Sequence, residues 1–82
     1  MARLTTISGR VGDFTGGRTQ FDVEARSVRA LLRELEQRFP GLGEFVEDQM
    51  AIAIDGEIFQ DALTAEFGAD SEIVLIPRIS GG

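Results

Sequence analysis

The sequence predicts a small α+β domain of two layers, in which one amphipathic helix packs across one face of a mixed sheet of four to five strands. Segments 3–8 and 20–24 have the composition or alternation of strands, and they precede the only long segment with helical periodicity. Strand-like segments 51–54 and 72–76 follow that helix. A few short strands with one helix cannot form a sandwich, so the helix must cover the sheet.

The first two strand-like segments predict a hairpin. Four glycines lie between them, and the connection is longer than a two-residue turn, so we expect an open or bulged loop. Gly16 and Gly17 are expected to take positive φ angles in that loop. We consider a phosphate-binding role less plausible, because such a loop opens a helix and here a strand follows.

The helix is predicted to begin after Ser27, which suits the N-cap position, and to end at Pro40-Gly41. Its apolar residues recur at the spacing of one helix face and are Val28, Leu31, Leu32, Leu35 and Phe39. The opposite face is charged. On it, Glu34 and Arg38 form an i, i+4 pair worth about 0.3 kcal/mol, which we interpret as part of a solvated surface.

The remaining chain predicts a loop around Phe45 and Val46, then the strand 51–54, a turn at Asp55-Gly56 and a short return strand at 57–59. Segment 63–67 is expected to form one helical turn or irregular structure, and two of its residues are expected to face inward. These two residues are Leu63 and Phe67. The last strand, 72–76, should end at Pro77, which lacks the N–H that would extend the ladder.

The composition excludes most catalytic sites. The chain has 82 residues, 43% of them apolar, which fits one small domain. It contains no Cys, His or Lys, so thiol or imidazole nucleophiles, the usual zinc ligands and a lysine-containing phosphate loop are all missing. Paired-carboxylate chemistry stays formally open, but no motif supports it. We therefore expect a protein that is not an enzyme and holds no metal or bound cofactor.

The net charge of −6 and the lack of a basic stripe argue against nucleic-acid binding. An acidic surface favours partners with basic surfaces, or it simply keeps a small domain soluble. No segment approaches a membrane span and no secretory signal is visible, so we expect a cytoplasmic protein that does not bind membranes.

The sequence ends at Gly81-Gly82, behind an apolar run and a proline. With 10 glycines in 82 residues, such a pair at the end is expected by chance in roughly 1.5% of chains. If this is the natural end, the terminal carboxylate is the most reactive position of the protein. We expect residues 1–76 to form the domain and residues 77–82 a flexible tail.

The order of elements and the ending together resemble the β-grasp, ubiquitin-like sulfur carriers of the MoaD/ThiS family, over essentially the whole chain. The resemblance rests on four short motifs, of which the last is the most specific. These are Ser27-Val28, the turn Ile54-Asp55-Gly56-Glu57, the acidic stretch Asp70 to Glu72, and the ending Leu75-Ile76-Pro77-Arg78-Ile79-Ser80-Gly81-Gly82.

The resemblance implies a mechanism. An adenylating partner related to the ubiquitin-activating (E1-like) enzymes uses ATP to activate the carboxylate of Gly82, and a sulfur donor converts the acyl-adenylate to a thiocarboxylate. The carrier then delivers the sulfur to a second, sulfur-accepting enzyme. Gly81 and Gly82 lack side chains that would block a narrow channel, so extended backbone can reach a nucleotide site.

One position departs from the family pattern. Arg78 stands where these carriers often have a small apolar residue, whereas ubiquitin has an arginine at that distance from its end. Arg78 therefore supports the alternative of a ubiquitin-like modifier joined to target lysines through Gly82; a solvated arginine with no recognition role is equally compatible. A third possibility is a β-grasp interaction module whose Gly-Gly ending is incidental.

Strand alternation predicts where partners bind. If Ile73 and Leu75 point to the helix, then Val74 and Ile76 point outward, and Ile58 is expected beside them. Exposed apolar neighbours near a reactive tail would form a docking patch. The tail residues Arg78 and Ile79 complete the predicted partner-binding set.

Overall fold

The structure of the protein is a computed structural model and describes residues 1–59 and 64–77. Within these residues the five strands form one mixed sheet, and three helices accompany it. The elements are β1 (Ala2–Thr6), α1 (Gly9–Thr15), β2 (Gln20–Val23), α2 (Val28–Arg38), α3 (Leu42–Gln49), β3 (Met50–Ile54), β4 (Glu57–Phe59) and β5 (Glu72–Pro77). The predicted α+β class is confirmed.

The sheet has the strand order β2-β1-β5-β3-β4. The central strand β5 is parallel to β1, and the other neighbouring pairs are antiparallel. The strands alternate between buried and more exposed residues, which is typical of a sheet covered on one face. Fully buried residues from strands and helices meet in a single core, and they include Leu4, Ile73 and Leu75 of the sheet and Leu31 and Leu35 of α2.

Helix α2 forms as predicted. The hydroxyl of Ser27 accepts a hydrogen bond from the N–H of Ala30 at 3.2 Å, which satisfies one of the free donors at the helix start. The helix ends at Arg38, ahead of the proline, and Gly41 takes the positive φ of 93° that reverses the chain. Val28 and Leu35 bury the apolar face in the core.

The connection between β1 and β2 contains the helix α1, so the prediction of an open loop is wrong. The helix is held by packing: Val11 and Thr15 are buried one turn apart, and the ring of Phe14 lies 5.4 Å from that of Phe45. The glycines of α1 lower its intrinsic helix propensity, so the sequence of this segment does not predict a helix. Gly16 and Gly17 have φ angles of 69° and 89°, as predicted for the end of this connection.

The segment around Phe45 is the helix α3, where a loop was expected. Leu42 and Val46 bury one of its faces. The carboxylate of Glu36, on α2, accepts hydrogen bonds from the N–H groups of Gly41 at 2.7 Å and Glu44 at 3.3 Å and thereby caps the start of α3. These bonds, with that from Gly41 the strongest, lower the pKa of Glu36. Because the capping carboxylate belongs to the preceding helix, the residues at the start of α3 do not by themselves predict the helix.

The second half of the chain follows the prediction more closely. Asp55 and Gly56 have φ angles of 50° and 89° and join β3 to β4. Strand β5 includes Pro77, which lies opposite Met50, one residue beyond the predicted end. Phe67 is buried as expected.

Of the two alternatives expected for segment 63–67, the described residues 64–67 adopt irregular structure, in which Glu66 forms an isolated bridge with Ser27. Leu63 lies outside the described residues. Over the part of the chain that the structure describes, no helix combines the length and the apolar character needed to cross a membrane.

Candidate functional site

The chain leaves the sheet at the end of β5. Because β1 and β5 are parallel neighbours, their carboxyl ends lie at the same end of the sheet, with Thr6 opposite Leu75. The first residue of β3, Met50, lies opposite Pro77 at this end. The predicted reactive and tail residues follow Pro77 and lie outside the described residues, so their assignment stays a prediction. They are Arg78, Ile79, Gly81 and Gly82.

The alternation predicted for the last strand is confirmed. Ile73 and Leu75 are completely buried on the helix-covered face. Val74 and Ile76 lie on the opposite, outer face and are half-buried. Ile58 on β4 is 58% exposed, which is unusual for a large apolar side chain and places it on the outer surface. The structure therefore places these three predicted docking residues on one face of the sheet.

The strand registers bring these side chains into one surface. Ala53 of β3 lies opposite both Ile58 of β4 and Val74 of β5, so the three residues form a row across the sheet. Neighbouring strands are about 4.8 Å apart, so the row spans roughly 10 Å. In the adjacent row, towards the chain exit, Ala51 lies opposite Ile76.

Sequence reasoning did not identify one member of this surface. Ile7 is 80% exposed and directly follows Thr6, whose partner in β5 is Leu75. Extended by one residue past the end of β1, the parallel register brings Ile7 level with Ile76. The alternation of β1 puts Ile7 on the same outer face, but its proximity to the last strand follows only from the sheet topology. We call Ile7, Ala53, Ile58, Val74 and Ile76 the apolar patch.

The end of the outer face far from the chain exit is charged. Glu72 precedes Val74 on this face, and its N–H donates to a carboxylate oxygen of Asp55 at 2.9 Å. In return, the N–H of Asp55 donates to the carbonyl oxygen of Glu72 at 2.8 Å. Exposed Glu57 lies next to this turn. The apolar patch is thus bordered at this end by charged side chains of both signs, because the exposed Arg3 of β1 lies opposite Glu72.

The described residues contain no cluster of three or more acidic side chains able to hold a metal ion. At the turn, the carboxylate of Asp55 instead accepts a hydrogen bond from a backbone N–H group, that of Glu72. What this face offers chemically is an apolar contact surface with a charged border.

Comparison with known proteins identifies the family. A model of the ThiS family matches residues 5–82, nearly the whole chain, including the Gly-Gly ending. The chain belongs to the ThiS family. No curated protein matches significantly.

Several solved structures share the fold of this ThiS-family chain. CysO in the BexX/CysO complex of Amycolatopsis orientalis superposes with a TM-score of 0.82 at 18% identity, over 100% of both chains. SAMP1 of Haloferax volcanii gives 0.69 at 26% identity, over 99% of this chain and 98% of the other. The small archaeal modifier protein 1 of Methanosarcina acetivorans gives 0.76 at 18% identity, over 99% and 95%.

These comparisons confirm the predicted resemblance and the ubiquitin-like β-grasp fold. The family match and these structures support a sulfur carrier or a ubiquitin-like protein. The sheet covered by helix α2 and the exit of the chain from a central strand are the features of this fold that position the candidate site.

Proposed function

We propose that the protein is a sulfur carrier whose terminal residue, Gly82, is activated by an E1-like adenylating enzyme and converted to a thiocarboxylate. The observation that carries this proposal is the match to the ThiS family, which extends through Gly81 and Gly82. A match confined to the folded domain would support only a ubiquitin-like module.

The chemistry requires an activating partner. A carboxylate is a poor electrophile at neutral pH, because its negative charge repels nucleophiles and it lacks a leaving group. Attack of the Gly82 carboxylate on ATP would give an acyl-adenylate and release pyrophosphate. Sulfide supplied by a sulfur donor would then attack the acyl carbon, so that the C–S bond forms, the C–O bond to AMP breaks and the thiocarboxylate remains. Transfer of that sulfur to an accepting enzyme, with attack of water on the acyl carbon, would restore the carboxylate.

The apolar patch suits the docking of such partners. It lies at the end of the sheet from which the chain departs, and five residues follow Pro77. Five residues span at most about 18 Å. A partner bound over Ile58, Val74 and Ile76 would therefore have its nucleotide site within about 18 Å of Pro77. The charged border, which includes Glu57, Glu72 and the opposite Arg3, favours a partner whose contact surface has an apolar centre and a polar rim.

The mass of the protein purified from its own cells tests the proposal. Replacement of one terminal oxygen by sulfur is the expected product, and it should increase when the demand for sulfur rises. An unmodified terminus under such demand, with no adducts to other proteins, would contradict the proposal.

Deletion of Gly82 provides a matched control in the reconstituted reaction with the adenylating enzyme. We expect the deletion to abolish formation of the acyl-adenylate and to leave the thermal unfolding temperature nearly unchanged, because one terminal glycine contributes little packing. Strong destabilisation by the deletion would show that the terminus is part of the folded domain.

A second candidate function is attachment to other proteins through Gly82. It is favoured by the fold shared with the small archaeal modifier protein 1 and by Arg78 in the tail. Attachment would leave branched diglycine remnants on lysines of target proteins after proteolysis. Finding such remnants, with no thiocarboxylate, would decide in favour of the modifier.

A further inference from the structure

Strand β2 forms one edge of the sheet, and its register shows which backbone groups face outward. The N–H of Thr6 donates to the carbonyl oxygen of Thr19 at 2.9 Å, so Thr19 directs its backbone groups towards β1. The direction alternates along an antiparallel strand. The backbone groups of Asp22 and Glu24 therefore point to the open edge, where an additional strand would bind.

Two side chains of α2 occupy this edge. A guanidinium N–H of Arg38 donates to the carbonyl oxygen of Asp22 at 2.9 Å. The carboxylate of Glu34 accepts from the N–H groups of Glu24 and Ala25, both at 3.0 Å. Arg38 and Glu34 also form an ion pair at 3.3 Å, which fixes the two side chains relative to each other. The pair thus links two elements and is more than the solvated helix pair expected from the sequence.

We propose that Glu34 and Arg38 close the β2 edge against a second copy of this chain and so keep the protein monomeric. An edge strand with free N–H and C=O groups is a template for pairing with another chain. A strand added to β2 would need the carbonyl of Asp22 and the amide of Glu24, and both are already engaged by α2.

A second copy is the occupant that fits this edge best. Two β2 strands can pair antiparallel about Phe21, which brings Gln20 of one copy opposite Asp22 of the other twice. Both residues direct their backbone groups outward, as the hydrogen-bonded positions of such a pair must. The Phe21 side chains are buried in the core against Phe39, so this pairing depends on the backbone groups of Gln20 and Asp22. The acidic Asp22 would face a neutral amide and not another carboxylate.

The double substitution Glu34→Ala/Arg38→Ala opens the edge and keeps the net charge at −6. Its matched control, Arg29→Ala/Asp48→Ala, removes one charge of each sign from exposed positions on α2 and α3. Sedimentation velocity over a range of concentrations should give monomers for the full-length protein and the control. For the opened variant we expect an average mass that rises towards twice the monomer mass, and slower hydrogen exchange of the Asp22 amide in the associated form.

Two results would overturn the proposal in folded protein. One is an opened variant that stays monomeric at every concentration while the amides of Glu24 and Ala25 exchange freely. The other is association without protection at Asp22. If the double variant does not fold, Glu34→Met/Arg38→Met is measured in the same way, because it frees both the Asp22 carbonyl and the Glu24 amide while it keeps long apolar side chains on α2. Monomeric behaviour of that folded variant would overturn the proposal as well.

Discussion

The substitution Ile58→Ala separates docking from folding, because this side chain is 58% exposed in the free protein. Complete burial of an isoleucine contributes about 1.5–3 kcal/mol. Since roughly two fifths of this residue is buried, its removal should lower the free energy of unfolding by about 1 kcal/mol. For a domain of this size that corresponds to a decrease of about 4–8 °C in Tm.

The exposed part of Ile58 determines the effect on binding. If a partner covers it, the additional burial contributes about 1–2 kcal/mol to the complex. The dissociation constant for the adenylating enzyme should therefore rise about 5- to 30-fold in Ile58→Ala. Isothermal titration calorimetry with the purified partner measures this change, at a temperature at which calorimetric unfolding shows the variant to be folded.

Ile73→Ala is the matched control, because Ile73 is completely buried on the opposite face of the same sheet. Its loss should cost about 2–5 kcal/mol of stability by leaving a cavity. The affinity of the molecules that remain folded should not change. An unchanged dissociation constant for Ile58→Ala would refute the docking patch. A loss of stability as large as that of Ile73→Ala would refute the outward placement of Ile58.

Two further predictions concern the contact between α2 and α3. A Cβ on Gly43 would overlap the carbonyl oxygen of Leu32, so Gly43→Ala should lower the free energy of unfolding, measured by chemical denaturation, by about 1–3 kcal/mol. A Cβ on Gly12 makes only ordinary contacts, so Gly12→Ala should raise the free energy of unfolding by up to about 1 kcal/mol. Equal effects of the two substitutions would contradict the close approach of Gly43 to Leu32. The hydrogen bond from Gly41 lowers the pKa of Glu36 below 4.5 in the folded protein, so on acidification the unfolded chain binds the proton first. The stabilisation of the folded state by this bond is therefore complete above about pH 4.5, and it is lost as the pH falls through the pKa of Glu36 in the folded protein. The difference in Tm between the natural protein and Glu36→Gln should become smaller as the pH is lowered. A difference in Tm that does not depend on pH would show that the charged carboxylate of Glu36 does not cap α3.

Local sequence signals predicted the elements whose stabilising contacts are themselves local. The period of α2, its cap at Ser27 and the turn at Asp55-Gly56 all depend on residues a few positions apart. Helix α3 was missed because its first N–H groups are capped by Glu36, which belongs to another helix. Helix α1 was missed because its glycines disfavour a helix locally, and the compensating contacts are tertiary: Val11 and Thr15 are buried, and the ring of Phe14 packs against that of Phe45.

The candidate site likewise combines features that local sequence predicts with features that depend on contacts between distant segments. Alternation alone placed Val74 and Ile76 on the outer face, since it needs only the period of a strand. The contribution of Ile7 could not be predicted, because it depends on the parallel pairing of β1 with β5, two segments at opposite ends of the chain. Pairings between distant segments are set by the fold as a whole, so the extent of a surface patch is predicted less well than the direction of each side chain.

The β2 edge and the outer face of the sheet differ in the groups that they offer to a binding partner. At the β2 edge, Glu34 and Arg38 engage backbone groups that an added strand would use. The outer face instead presents side chains, among them the exposed Ile7 and Ile58, and needs no backbone pairing. A partner that bound the edge would lie beside β2, with β1 between it and the exit strand β5. A partner on the outer face lies directly over β5, so binding through the face brings the activating site closest to the departing chain.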